Sequence, residues 1–228
     1  SCCLPLSSFN PFESHPNYLY MHGVVDYELV GETRRYLRFS SPLVQKWLFY
    51  TFSAELFGET NRLYPPFTDL SDAITPTTLY VRNLLLHYQR YLQENHARLF
   101  QDAPRRSTDL RIFEAVYHFN LFTYLSRFLD SFGGRVTPEF PTGNGQVDLL
   151  IQYAGQRFGL EVKSFASQHE YNKALLQSVR YAQHLGLNTI TLLLFVEAVD
   201  EENRRKYEVI YHDPTTGVTV EPVFVTTG

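Results

Sequence analysis

The sequence predicts an α/β fold in which a mixed central sheet is flanked by helices, behind a mainly helical, wing-like N-terminal region. Three observations carry this prediction. Two long stretches, up to residue 101 and then to Gly133, repeat apolar side chains at helical spacing. From Gly134 the period changes to short β-branched and aromatic runs between turn formers. One more helical stretch then precedes a fully apolar strand, the alternation of an α/β layer. At 228 residues the chain suits one large domain or two small ones.

Residues 1 to 40 mix turn formers with a hairpin, LYMHGVVDYEL and RRYLRFS about a VGET turn. Ser40-Ser41-Pro42 reads as the cap and first turn of a helix, PLVQKWLFYTFSAELF, that stops at Gly58. Residues 60 to 76 carry three prolines and mark a boundary. The expected division is therefore 1–70, a winged-helix-like hairpin and helix region, and 71–228, a helical lead-in plus the α/β domain.

TTLYVRNLLLHYQRYLQENHARLFQ forms the next helix, and DAPRRS breaks it. Ser107 or Thr108 caps a second long helix, DLRIFEAVYHFNLFTYLSRFLDSF, which ends at Gly133-Gly134. RVTPEFPT, QVDLLIQY and RFGLEVKSF follow as three strands, then the helix QHEYNKALLQSVRYAQHLG and the strand TITLLLFVE. A polar loop, the run KYEVIYHD and a hairpin arm GVTVEPVFVT close the chain.

Hydrophobic residues at 44% and charged residues at 19% describe a globular chain, with a heavy aromatic load of 16 Tyr and 18 Phe. A net charge of -4 argues against coating nucleic acid through bulk charge, so any such contact is local. The bias of 16 Arg over 4 Lys suits bidentate phosphate recognition and, equally, surface ion pairs. Cys2 and Cys3 are sequence neighbours and supply neither a disulfide framework nor a zinc site, so a reducing, cytoplasmic setting is the default. No apolar run approaches the roughly 18 residues of a membrane span, and no charged segment leads into an apolar one at the N-terminus. The chain begins with Ser rather than Met, so a fragment of a longer protein is expected.

GNGQVDLLIQYAGQRFGLEVKSF, residues 143 to 165, sets Asp148, Glu161 and Lys163 among core-like residues. Strand parity places Gly159, Glu161 and Lys163 on one face and Phe158, Leu160 and Val162 on the other. The charged face is expected to open on a cleft, with Gly159 leaving room for something bulky. A tight turn at Ala154-Gly155 brings Asp148 beside Glu161. Two adjacent carboxylates repel unless a cation sits between them, and Mg²⁺ takes oxygen ligands from such a pair. A nearby lysine orients or deprotonates a water, or stabilises charge on a phosphate oxygen. These parts suit phosphodiester hydrolysis. The histidines His87, His96, His118, His169 and His184 are scattered and form no zinc-binding pair.

Asp148, twelve further residues and then EVK on an apolar strand, between two helices, resembles the PD-(D/E)xK nuclease superfamily. Val147 stands where the family name has Pro. Glu114, in FEAVYHF of the preceding helix, sits where many of these nucleases carry a supporting glutamate. Gln177 and Tyr181, in QSVRY, resemble the Q-x-x-x-Y feature of the helicase-associated branch, and at i and i+4 they share one helix face. The resemblance covers residues 107–197 and implies a restriction-endonuclease-like core. It implies that Asp148, Glu161 and the Val162 carbonyl hold Mg²⁺, for which Mn²⁺ substitutes, with Glu114 as an outer or second-metal carboxylate. Lys163 would then position the attacking water, and Gln177 and Tyr181 would steady the site and a DNA strand.

Residues 18–106 resemble, more loosely, the C-terminal portion of bacterial AAA-type ATPases that end in such a nuclease-like domain. An ATPase domain in the parent chain is the partner this implies, and no G-x-x-x-x-G-K-[ST] loop occurs here. Gln146 replaces an arginine usual in those relatives, which weakens expectations about phosphate contacts near it. The rival expectation is a catalytically inactive nuclease-fold module that binds nucleic acid or assembles with an ATPase. Lys173, Arg180, Arg105, Arg106 and Arg111 could meet phosphates, and Glu139 could reach the cleft, although a solvated face accounts for Lys173 and Arg180, a loop ion pair for the three other arginines and an edge-strand charge for Glu139.

Overall fold

The computed structural model describes residues 14–30, 34–57, 63–65, 67–101, 103, 105, 112, 114–141, 146–165 and 167–227. The chain forms two compact units, Ser1–Thr51 and Phe52–Gly228. In the first, helix α1 (Ser14–Met21) precedes an antiparallel hairpin of β1 (Val25–Val30) and β2 (Arg34–Phe39), paired from Val25–Phe39 to Val30–Arg34. Helix α2 (Pro42–Phe57) follows the Ser41-Pro42 start, its residues from Phe52 on belonging to the second unit, and the Ser41 hydroxyl accepts the Val44 N–H at 3.2 Å.

The second unit contains α3 (Val81–Phe100), α4 (Glu114–Asp130), β3 (Arg135–Pro141), β4 (Gln146–Tyr153), β5 (Gln156–Ser164), α5 (Gln168–Leu185) and β6 (Thr189–Val196). It closes with α6 (Glu201–Tyr207), β7 (Tyr211–His212) and β8 (Thr219–Thr226). Six strands form one mixed sheet in the order β3-β4-β5-β6-β8-β7. The β5–β6 and β6–β8 pairs are parallel and the others antiparallel. Helices cover both faces, the arrangement of a restriction-endonuclease-like core. On one face α5 buries Leu175, Val179 and Ala182 against Leu150, Ile190, Leu192 and Val220. On the other, Tyr88 of α3 and Tyr117 of α4 meet Phe195 of β6. Buried on both sides, β6 has to be apolar throughout, which explains TITLLLFV.

Helix α5 is specified locally at both ends. Ser167 caps it by accepting the Glu170 N–H at 3.3 Å, and Gly186 ends it with φ at 62°, a left-handed conformation that glycine adopts without penalty. Three expectations need correction. Helix α4 begins at Glu114 rather than near residue 108, because Ile112 pairs with Arg105 in an antiparallel bridge that holds it extended. The Ser107 and Thr108 caps lie outside the described residues. The polar loop after β6 contains α6, capped where Asp200 accepts the Asn203 N–H at 2.7 Å. Its acidic first turn and basic last turn match the helix dipole. That helix takes Lys206 and Tyr207 out of the expected strand KYEVIYHD, so β7 keeps two residues. Among the described residues no helix is long and apolar enough to cross a membrane.

Candidate active site

The site begins with a turn. Ala154 and Gly155 both have positive φ, 47° and 75°, and close the two-residue connection between β4 and β5. This fixes a register in which Tyr153 faces Gln156 and Leu149 faces Leu160, so the next position sets Asp148 toward Glu161. There the two strands part. Strand β4 stays paired with β3 through Gln146–Pro141, and β5 stays paired with β6 through Ser164–Phe195, but among the described residues no β4–β5 pair lies beyond Leu149–Leu160.

The parting leaves β5 with backbone N–H groups that its neighbour strand no longer accepts, and carboxylates take them. Asp148 Oδ2 accepts the Val162 N–H at 2.7 Å, and Glu114 Oε2 accepts the Ser164 N–H at 2.7 Å. Phe165, one residue on, donates the opposite way to the Phe195 carbonyl of β6 at 3.0 Å, as strand alternation requires. By the same alternation the Val162 carbonyl shares the side of its own N–H and faces the gap where β4 has left. Glu114 reaches β5 from the first turn of α4, where the helix dipole also favours a carboxylate.

Inside the gap the charges are buried together. Glu161 is 0% exposed and Asp148 is 7% exposed. Lys163 Nζ lies 2.8 Å from Glu161 Oε1 and 3.6 Å from Asp148 Oδ2. Gln177 Nε2 donates to Glu161 Oε1 at 3.0 Å and to the Tyr181 hydroxyl at 2.9 Å. Among the described residues, Glu161 Oε2 is buried and finds no hydrogen-bond partner, a costly state for a carboxylate oxygen.

The electrostatics follow from this packing. Burial pushes the Glu161 carboxyl up, Asp148 adds to the rise, and Lys163 only partly opposes it, for a value of about 8. Burial alone would lower the Lys163 ammonium, but Asp148, Glu161 and Glu114 outweigh it and hold the ammonium protonated well above its usual range. Burial dominates at His118 as well and lowers it against the pull of Asp148 and Glu114, so the imidazole is neutral at pH 7.

Asp148, Glu161, Lys163, Gln177 and Tyr181 thus form one contiguous network, and Glu114 joins it through the β5 backbone. Lys173 and Arg180 lie exposed on α5, and Arg105 is exposed in its bridge to Ile112. Arg106, Arg111 and the Glu139 side chain lie outside the described residues. One expectation at the site is overturned. The charged face of β5 does not open at Gly159, because a Cβ there would come within 3.2 Å of Leu187 and 3.3 Å of Ile190. The glycine admits the chain that follows α5 rather than a ligand. Sequence reasoning also passed over His118, which is buried on α4 and hydrogen-bonds the Asp148 backbone. Its position four residues after Glu114, on the same helix face, was the available signal.

Among the described residues no group of three or more His, Cys, Asp and Glu side chains is gathered so as to hold a metal ion by itself. The Lys163 ammonium occupies the cation position between Asp148 and Glu161. The donors fit an ion that accepts two carboxylates and keeps its waters, as Mg²⁺ does, and Glu161 Oε2 is the carboxylate oxygen that carries no protein hydrogen bond among the described residues.

No protein-family model matches this chain, and no curated protein matches it. Among solved structures it is similar to a type III CRISPR defence DNA nuclease activated by cyclic oligoadenylate, at 14% identity and a TM-score of 0.29. The match covers 58% of this chain and 25% of the other.

Proposed function

We propose that this protein is a PD-(D/E)xK-type nuclease that hydrolyses phosphodiester bonds in DNA with Mg²⁺. The observation that carries the reading is the buried Glu161 carboxylate, held on one oxygen by Lys163 and Gln177 and orphaned on the other, directly across from Asp148. Asp148, Glu161 and the Val162 carbonyl would hold the cation, with Glu114 in support. A divalent cation there supplies positive charge that polarises the phosphodiester and lowers the pKa of water.

The protein's own residues do the rest. Lys163, held 2.8 Å from Glu161, would orient the attacking water and balance charge on the phosphate oxygens. Gln177 fixes the Glu161 carboxylate, and Tyr181 fixes Gln177. Both act as positioning residues. Linear and circular DNA incubated with Mg²⁺ or Mn²⁺ should be cut by the wild type and not by Glu161→Ala or Lys163→Ala. Equal cutting by all three proteins, or DNA binding without cutting by the wild type, overturns the reading.

The second reading is an inactive nuclease-fold module that binds nucleic acid or assembles with an ATPase domain of a parent chain. What favours it is the Lys163 ammonium, which already neutralises one carboxylate without any metal.

A further inference from the structure

Helix α5 lies over the site, and its charges are unevenly placed around it. Gln177 faces Glu161, and Tyr181 follows one turn on. Counted at about 100° per residue, Lys173, Arg180 and His184 all fall within about 60° of Gln177 around the helix. The exposed Asn172, Leu176 and Gln183 stand farther round, about 100° to 140° from Gln177, and carry no charge. Lys173 and Arg180 are exposed, and neither makes an ion pair or a hydrogen bond among the described residues. Glu170, the one acid of α5, sits one turn before Lys173 and forms no ion pair with it. Elsewhere in this unit cations are spoken for: Arg82 and Arg204 meet Glu208, and Lys163 meets Asp148 and Glu161.

The site holds Asp148, Glu161 and Glu114 against the single ammonium of Lys163, in a chain of net charge -4. A phosphodiester strand is repelled on approach to such a site unless cations outside it hold the strand. Resting on the nuclease reading, we infer that the flank of α5 bearing Lys173 and Arg180 is a track for the phosphate backbone of the DNA strand that enters the site. The two residues are seven apart, about 10 Å along the helix axis, which matches about three phosphate steps along one strand of a duplex. Gln177 lies between them, so a strand held at both ends crosses the helix where Gln177 meets Glu161. Arg180 can grip a phosphate through two N–H groups, and Lys173 acts on one as a point charge. Contacts of this kind position a strand and carry no base information, so the track serves any sequence.

The test reads binding without chemistry. The full chain in EDTA is titrated with fluorescently labelled single-stranded and duplex oligonucleotides at a series of salt concentrations, and binding is followed by polarisation. In Lys173→Gln/Arg180→Gln the slope of log affinity against log salt should shrink by about 1.4 on the single strand and about 1.8 on the duplex, the loss of two phosphate contacts. Arg135→Gln/Arg205→Gln removes the same charge from exposed positions on β3 and α6 and should keep the wild-type slope. Both variants should keep the circular dichroism and melting temperature of the wild type. An unchanged slope in the first variant, an equal loss in the second, or no DNA binding by the wild type overturns the proposal. So does binding to phosphatidylserine vesicles in place of DNA. Nothing is cut in EDTA, so a protein that binds along α5 and leaves DNA intact with Mg²⁺ would sink the nuclease reading and leave the track standing, whereas cleavage with an unaltered slope would sink the track alone.

Discussion

Two strands of the sheet lose a neighbour partway along, and they manage the loss differently. Strand β5 loses β4 after Leu160, and β8 loses β7 after Val220. In both, side chains replace the missing ladder. At β8, Glu208 Oε1 accepts the Phe224 N–H at 2.7 Å and Gln89 Oε1 accepts the Thr226 N–H at 3.0 Å. Arg82 and Arg204 donate to the Pro222 and Phe224 carbonyls, both at 3.3 Å, and both arginines also pair with Glu208. One carboxylate thus meets two cations at a partly exposed edge. Pro222, which has no N–H to donate, is tolerated in the unpaired part of that strand.

At β5 the balance is reversed, with three carboxylates and one ammonium, and the two central acids are buried. Closing an edge needs only an acceptor for each N–H, as Gln89 demonstrates at β8. Strand β5 therefore holds more acidic side chains than closing its edge requires, an excess that motivates the nuclease proposal.

The largest expected effect separates the two edges outright. Asp148→Asn keeps an acceptor for the Val162 N–H and relieves charge repulsion, so it should fold at least as stably as the wild type while DNA cleavage drops about a hundred-fold or more. Cleavage near the wild-type rate would reduce β5 to another capped edge. Chemical denaturation and a cleavage assay on the same preparation decide this.

Next comes pH. Unfolded Glu161 releases its proton near 4.5 and folded Glu161 near 8, so the metal-free protein should lose stability as pH rises through that window. The loss is on the order of a few kcal/mol, complete above the folded value and absent below the unfolded one. Urea titrations at pH 5, 7 and 9 should reveal the slope in the wild type and its disappearance in Glu161→Gln. A slope shared by both proteins would assign the effect elsewhere.

Glu208→Ala inverts the first pattern. It strands the Phe224 N–H and leaves Arg82 and Arg204 without their carboxylate, at a cost of about 2–3 kcal/mol, while cleavage per folded molecule is unchanged. A fall in cleavage beyond the fraction unfolded would mean that the two edges communicate. Gln89→Ala is the smallest change. It removes one acceptor from a partly buried N–H and should lower stability by about 1 kcal/mol, read as a small shift in the denaturation midpoint.

Much of this was legible in the chain itself. The core helices α3 and α5 and the strands β3 to β6 followed from apolar period and from the turn residues between them. Strand parity put Glu161 and Lys163 on one face, and the Ala154-Gly155 turn aligned Asp148 with them. Less legible was α6, whose signal is a cap and a charge gradient rather than an apolar stripe. The start of α4 was misplaced because Ile112 continues the helical period, yet is held in a bridge to a residue seven positions earlier. His118 has no zinc-pair spacing to another histidine, and its nearest acidic neighbour on the helix is Glu114, so the sequence pattern of histidines does not reveal it.

By itself, the sequence determined the elements, the two faces of β5 and the register of the β4–β5 hairpin, because each depends on backbone geometry and the chemistry of a few consecutive residues. Only the tertiary structure decided that β4 and β5 part at Leu149–Leu160, that Asp148 and Glu114 then take the β5 backbone, and that α5 covers the face of Gly159 and Glu161. Where a ladder ends and which helix lies over it depend on contacts between segments far apart in the chain. Those contacts gather Asp148, Glu161 and Lys163 from two strands into one buried network.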